Sequence, residues 1–158
     1  MSGVVSHRPA VVADAQWFAP LLRAEERAEI QAERVDIVAA LERAVRMSDY
    51  AVVSFIDGEP VGIWGVAHTS LLSGEAVPWA LTTDVADRKP KAFYRECKRV
   101  IKTMRAFHGT LDNYVDGRHR KALRWAERLG FKIGVSVPVG KDGTPFHKIS
   151  MGGAACVS

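Results

Sequence analysis

The sequence predicts an α/β (α+β) fold: one mixed, mostly antiparallel central sheet flanked by helices. Three observations predict it. Two apolar runs meet at Asp57-Gly58, a dipeptide that tolerates the positive φ angles of a tight hairpin turn. From Pro90 onward, apolar and basic residues alternate in steps of three and four, the pattern of one long amphipathic helix. The elements follow the order β-α-α-β-β-β-α-β-α-β-β, and helices separate the later strands, which excludes a sandwich.

The first strand is expected at residues 7–12, and Asp14 then stands as the N-cap of a helix over 15–30 carrying Trp17, Phe18, Leu21, Leu22 and Ile30. Pro20 lies inside that pattern and marks a boundary or a kink. A second helix over 36–47 aligns Ile37, Val38, Leu41 and Val45. The hairpin follows as residues 50–56 and 60–68, then a loop with Ser73-Gly74, then a strand at 77–83. Pro90 suits the first turn of the long helix to His108. Its apolar stripe is Phe93, Cys97, Val100, Ile101, Met104 and Phe107. Its basic stripe is Lys91, Arg95, Lys98, Lys102 and Arg105, and Gly109 closes it. A strand at 111–115 precedes a helix over 118–129, with Ala122, Leu123, Trp125, Ala126 and Leu129 inward and Gly130 at its end. Strands at 131–139 and 147–151 complete the order, and the tail 152–158 reads as loose.

The 158 residues suit a single domain, 1–158, with enough apolar content (47%) to fold without disulfides or a metal. The two cysteines, Cys97 and Cys156, form no CxxC, zinc set or disulfide framework. No apolar run is long enough for a membrane span, and the first residues lack the layout of a secretory signal. The net charge of +4 hides an asymmetry: between Arg88 and Lys132 stand 14 Lys/Arg against 4 Asp/Glu, while the remainder is acidic. That segment suits a phosphate, acidic protein or nucleic-acid surface, and nonspecific DNA contact follows as one expectation. A solvated helix face is the competing reading. The dispersed His7, His108 and His147 give no metal-ligand spacing, and His68 reads as an ordinary strand-end residue.

The hairpin "VVSFIDGEPVGIWGV", the strand and long helix that follow it, and the closing "RKALRWAERLGF" together resemble the GCN5-related N-acetyltransferases, the GNAT fold. More narrowly, "PWALTTD", "NYVDGRHRKALRWAERLGF" and "GTPFHKISM", with "EERAEI" near the start, resemble the internal virion protein A family of short-tailed bacteriophages. That second resemblance implies a virion or assembly-associated protein with other virion proteins as partners, located in the phage particle or the host bacterial cytoplasm.

The GNAT resemblance implies an amine attacking acetyl-CoA, which needs a cradle for the pyrophosphate, a base for the ammonium and an acid for the leaving thiolate. In that family the cradle is a glycine loop ahead of the long helix, where backbone N–H groups approach phosphate. Here the loop reads Asp84-Val85-Ala86-Asp87-Arg88-Lys89-Pro90-Lys91, without glycine. If CoA binds, Arg88, Lys89 and Lys91 are the side chains to hold its phosphates, and Thr82 and Thr83 end the strand that carries pantetheine. The family's tyrosine acid falls on Ala126, which donates no proton. The family's asparagine falls near His119, and the resemblance makes this imidazole the candidate base. Asn113, Tyr114 and Asp116 read as turn-capping residues and Trp79 as a core aromatic. These departures point to a GNAT-like chain without standard chemistry and without an expected cofactor. A CoA-dependent N-acetyltransferase with a nonstandard cofactor loop is the alternative, and a nucleic-acid-binding protein the second alternative.

Overall fold

The computed structural model describes residues 3–68 and 75–152, and the loop expected around Ser73-Gly74 and the tail beyond Gly152 lie outside them. Seven strands form one sheet in the order β1-β2-β3-β4-β5-β7-β6. The strands are β1 (Val5–Pro9), β2 (Tyr50–Ile56), β3 (Glu59–His68), β4 (Glu75–Thr82), β5 (Thr110–Asp116), β6 (Lys132–Val139) and β7 (Thr144–Gly152). The helices are α1 (Asp14–Phe18), α2 (Ala24–Ala32), α3 (Ile37–Met47), α4 (Val85–Arg88), α5 (Pro90–Phe107) and α6 (Arg120–Leu129). The chain forms two compact units, Met1–Ala67 with Trp79–Met104 and His68–Pro78 with Arg105–Ser158. β4 runs through both.

In the first unit, β1, β2 and β3 are antiparallel neighbours. Asp57 and Gly58 sit at φ 51° and 81°, the left-handed values of a type I′ hairpin turn. The expected helix over 15–30 is broken. Asp14 is the first residue of α1 instead of its cap, the Pro20 turn is 3-10, and α2 begins anew at Ala24. Asp36 caps α3 by accepting from Ala39 N–H. Ala15, Phe18, Leu22, Leu41, Val45, Val53 and Ile63 make one buried cluster. α5 buries Ala92, Phe93, Cys97, Val100 and Met104, with Phe93 stacked on Trp64 at a centroid distance of 5.6 Å. Two stripe assignments are corrected. Phe107 is exposed at the helix end, and Ile101 is only half-buried.

In the second unit, β4 and β5 pair in parallel over just two positions, Glu75↔Thr110 and Ala76↔Leu111. β5 and β6 both pair antiparallel with β7. Gly130 ends α6 at φ 105°, a left-handed stop that glycine adopts without strain. Ala122 is exposed, against expectation: it shares a face with the buried Ala126 but stands in the first turn of α6.

Candidate cofactor site

The turn between β4 and α5 is built from hydroxyls and a helical turn, not from glycine. Thr83 Oγ1 donates to Pro60 O at 2.7 Å and accepts from Val85 N–H at 3.2 Å, which starts α4. The N–H groups of Ala86, Asp87, Arg88 and Lys89 then bond to carbonyls of the same turn, on Thr83, Asp84, Asp84 and Val85. Pro90 has no N–H to give. The backbone donors that a glycine loop would turn toward phosphate are therefore spent internally.

The side chains of the turn are paired as well. Arg88 Nη2 lies 2.9 Å from Glu59 Oε2 and 3.8 Å from Asp84 Oδ1. Lys89 Nζ lies 2.7 Å from Asp57 Oδ2, and Arg23 Nη1 lies 2.9 Å from Asp87 Oδ1. Lys89, together with the Val4 N–H, holds the Asp57 carboxyl below its usual range, and Arg88 does the same to Glu59. Lys91 is exposed on the first turn of α5 and carries no ion pair among the described residues.

Thr82 is closed differently. Its C=O accepts from Arg23 N–H at 3.2 Å, its N–H donates to Glu26 Oε2 at 2.9 Å, and its hydroxyl donates to Glu26 Oε1 at 3.0 Å. Leu22 bridges Thr83 antiparallel beside it, while Thr83 N–H bonds Val61 O on β3. The edge of β4 away from β3 is thus occupied at Thr82 by the segment joining α1 to α2. Burial pushes the Glu26 carboxyl up, against the pull of Thr82 N–H and Arg23.

Sequence reasoning missed two groups here. Glu26 lies 56 residues from Thr82, and only the fold brings them together. Glu96, on the inner face of α5, is 1% exposed. It accepts from the Ser54 hydroxyl and from Arg99 Nε and Nη2 at 2.6 and 2.7 Å, while Trp64 Nε1 donates to Ser54 Oγ at 2.8 Å. A signal existed: Glu96 sits three residues past Phe93 and four before Val100, inside the apolar stripe.

In the second unit, His119 precedes α6 without a side-chain cap bond, and its N–H donates to Asp116 O at 3.0 Å. Asp116 binds Arg118 at 2.6 Å, which lowers its carboxyl to about 2. Asn113 is not a turn cap. It stands within β5, where its Nδ2 donates to Pro78 O at 2.7 Å. Ala126 is buried, and its C=O accepts the Phe131 N–H, a structural role. Trp79 is half-buried, with Nε1 bonded to Ser48 Oγ and its ring over Gly65. The His68 side chain lies outside the described residues. No group of three or more His, Cys, Asp or Glu among the described residues forms a metal set. No helix among them is long and apolar enough to cross a membrane.

An anion at this turn would meet side-chain charge and not backbone donors. The two ion pairs of Arg88 and Lys89 are surface pairs; Arg88 is 51% and Glu59 49% exposed in their side chains. Ion pairs at a surface contribute little to stability, so exchanging the carboxylate for another anion costs the fold little.

Solved structures share this architecture. A spermidine N-acetyltransferase chimera from Vibrio cholerae and hSSAT superposes with a TM-score of 0.73 at 11% identity, over 94% of this chain and 95% of its own. An acetyltransferase of the GNAT family from Streptococcus pneumoniae gives 0.64 at 12% identity, over 94% and 99%. An aminoglycoside acetyltransferase in complex with coenzyme A gives 0.68 at 13% identity, over 94% and 95%. The fold of this chain is the GNAT fold. No family model and no curated protein matches the sequence, so the narrower resemblance to phage virion proteins, and a place in a virion, gain no support.

Proposed function

We propose that this chain is a CoA-dependent N-acetyltransferase with a nonstandard cofactor loop. The carrying observation is the cluster Arg88, Lys89 and Lys91, three cations just before and on the first turn of the 18-residue helix α5, the first two in surface ion pairs that can exchange. The neighbours of the same fold include spermidine and aminoglycoside acetyltransferases, which supports an amine as acceptor. Acetyl-CoA would supply the activated acyl group. Arg88 and Lys89 would release Glu59 and Asp57 to hold its phosphates, with Lys91 beside them. Thr83 is spent on shaping the turn and Thr82 on Glu26, so neither threonine hydroxyl is free for the cofactor as the chain stands.

A second reading, a GNAT-fold protein that has kept the fold without the reaction, is favoured by Ala126 and by the occupied edge at Thr82. One experiment separates the two: calorimetry with acetyl-CoA up to millimolar, then thiol release on adding spermidine or an aminoglycoside. Saturable binding with thiol release is expected. Arg88→Ala and Lys91→Ala should each weaken binding roughly three- to tenfold, the equivalent of about 1 kcal/mol for a solvent-exposed charge contact. Binding without thiol release would favour the second reading, and no binding at millimolar would end the first.

A further inference from the structure

We propose that the outer face of α5 is a docking surface for the phosphate backbone of a nucleic-acid duplex. Lys91, Arg95, Lys98 and Lys102 are all exposed on this helix, spaced by four, three and four residues. At 1.5 Å rise per residue they form a row about 17 Å long on one side of a rigid element. The opposite side of α5 is buried through Ala92, Phe93, Cys97, Val100 and Met104, so the row is fixed in place. Arg105 continues the spacing but lies against Gly152 and is not part of the surface.

The row lacks counter-charge. The one carboxylate of α5 is Glu96, which is buried and held by Arg99 and Ser54. None of the four cations forms an ion pair among the described residues, whereas Arg23, Arg88 and Lys89 each have a carboxylate of their own within 3 Å. Like charges three and four residues apart destabilise a helix, and an interleaved Glu would relieve them. A stripe that keeps this repulsion is suited to an external polyanion.

The chemistry favours nucleic acid over an acidic protein. Protein interfaces centre on buried aromatic and aliphatic anchors. Before Phe107, α5 has no large hydrophobic side chain among the exposed ones, and Tyr94 lies under the Lys98 ammonium at 5.6 Å. Each strand of a duplex presents a phosphate about every 3.4 Å of axis, so a row this long spans about five phosphates of one strand, enough for one per cation without any base contact. The surface shares only Lys91 with the proposed cofactor turn, and Arg95, Lys98 and Lys102 lie beyond it.

The test is fluorescence anisotropy with a labelled duplex of arbitrary sequence, titrated between 50 and 200 mM salt. Four phosphate contacts should give a slope of log K against log salt of about −3.6, and the triple variant Arg95→Gln, Lys98→Gln, Lys102→Gln should lose about 2.7 of it. The variant should also bind at least tenfold more weakly at 50 mM salt, with an unchanged circular dichroism spectrum and unchanged acetyl-CoA calorimetry. Arg88→Ala should leave the duplex slope unaltered. Wild-type-like binding by the triple variant, or a salt-independent affinity, would overturn the proposal. So would a polyglutamate peptide that binds more tightly than the duplex, which would assign the face to an acidic protein.

Discussion

Glu96 shows how one residue ties α5 to the sheet. Its carboxylate is held by Ser54 on β2 and by Arg99 one turn along its own helix, and Trp64 on β3 completes the chain of bonds through Ser54. Removing Glu96 leaves the buried Ser54 hydroxyl without its acceptor, while Arg99, 35% exposed in its side chain, can turn to water. An orphaned buried polar group costs about 1–3 kcal/mol, so Glu96→Ala should cost about that much in urea unfolding, while Glu96→Gln, which keeps an acceptor for Ser54, should cost less. A loss under about 1 kcal/mol for Glu96→Ala would mean that Ser54 finds another acceptor. The residue types and spacing of this network stand in the sequence, but its partners do not. Ser54 and Glu96 are 42 residues apart, and a polar residue inside an apolar stripe announces that it needs a partner without saying which. Glu26 and Thr82 are the same case at the cofactor turn, and local spacing carries no trace of that contact.

At the scale of elements, short-range chemistry decided most of what was legible. The turn at Asp57-Gly58, the Pro90 start of α5 and the Gly130 stop each depend on one or two residues, and each lies where the sequence places it. From Asp14 to Ala32 the apolar periodicity continues across Pro20 while the backbone does not, so the one helix expected there divides into α1, a 3-10 turn and α2. The hairpin turn also sets charge. Asp57 accepts from Val4 N–H at 2.8 Å and pairs with Lys89, so the turn helps position a cation of the cofactor site. Gly58→Val should cost on the order of 1–2 kcal/mol, because Gly58 sits at φ 81° and a β-branched side chain is strained there even though open space surrounds it. Asp57→Asn keeps a residue tolerant of positive φ but removes the charge. It should leave the turn nearly intact and strengthen acetyl-CoA binding by freeing Lys89, as read by calorimetry. Weaker binding in that variant would place the phosphates on another loop.

Over the whole molecule, acid stability follows from carboxylates whose surroundings pull in opposite directions. Arg8 lowers Asp14, Lys89 lowers Asp57, Arg88 lowers Glu59, and Arg118 lowers Asp116 to about 2. A carboxyl lowered in the folded state contributes stability above its unfolded value, near 4, and that contribution is lost as pH falls through the folded value. These four groups together should make the protein progressively less stable from about pH 4 down to pH 2. Glu26 acts with the opposite sign. Burial raises it, so its contribution is fully present below its unfolded value, near 4.5, and is lost as pH rises through its higher folded value. Acidification from neutrality should therefore first stabilise the fold through Glu26 and then destabilise it through the aspartates and Glu59, giving a maximum in the mildly acidic range. Thermal unfolding followed from pH 7.5 to pH 2.5 checks the shape. Glu26→Gln should remove the rise on the neutral side and leave the acid limb unchanged, because Gln keeps an acceptor for Thr82 without a charge to desolvate. An unaltered neutral limb in that variant would show that Glu26 is solvated in solution and that the edge of β4 at Thr82 stands open.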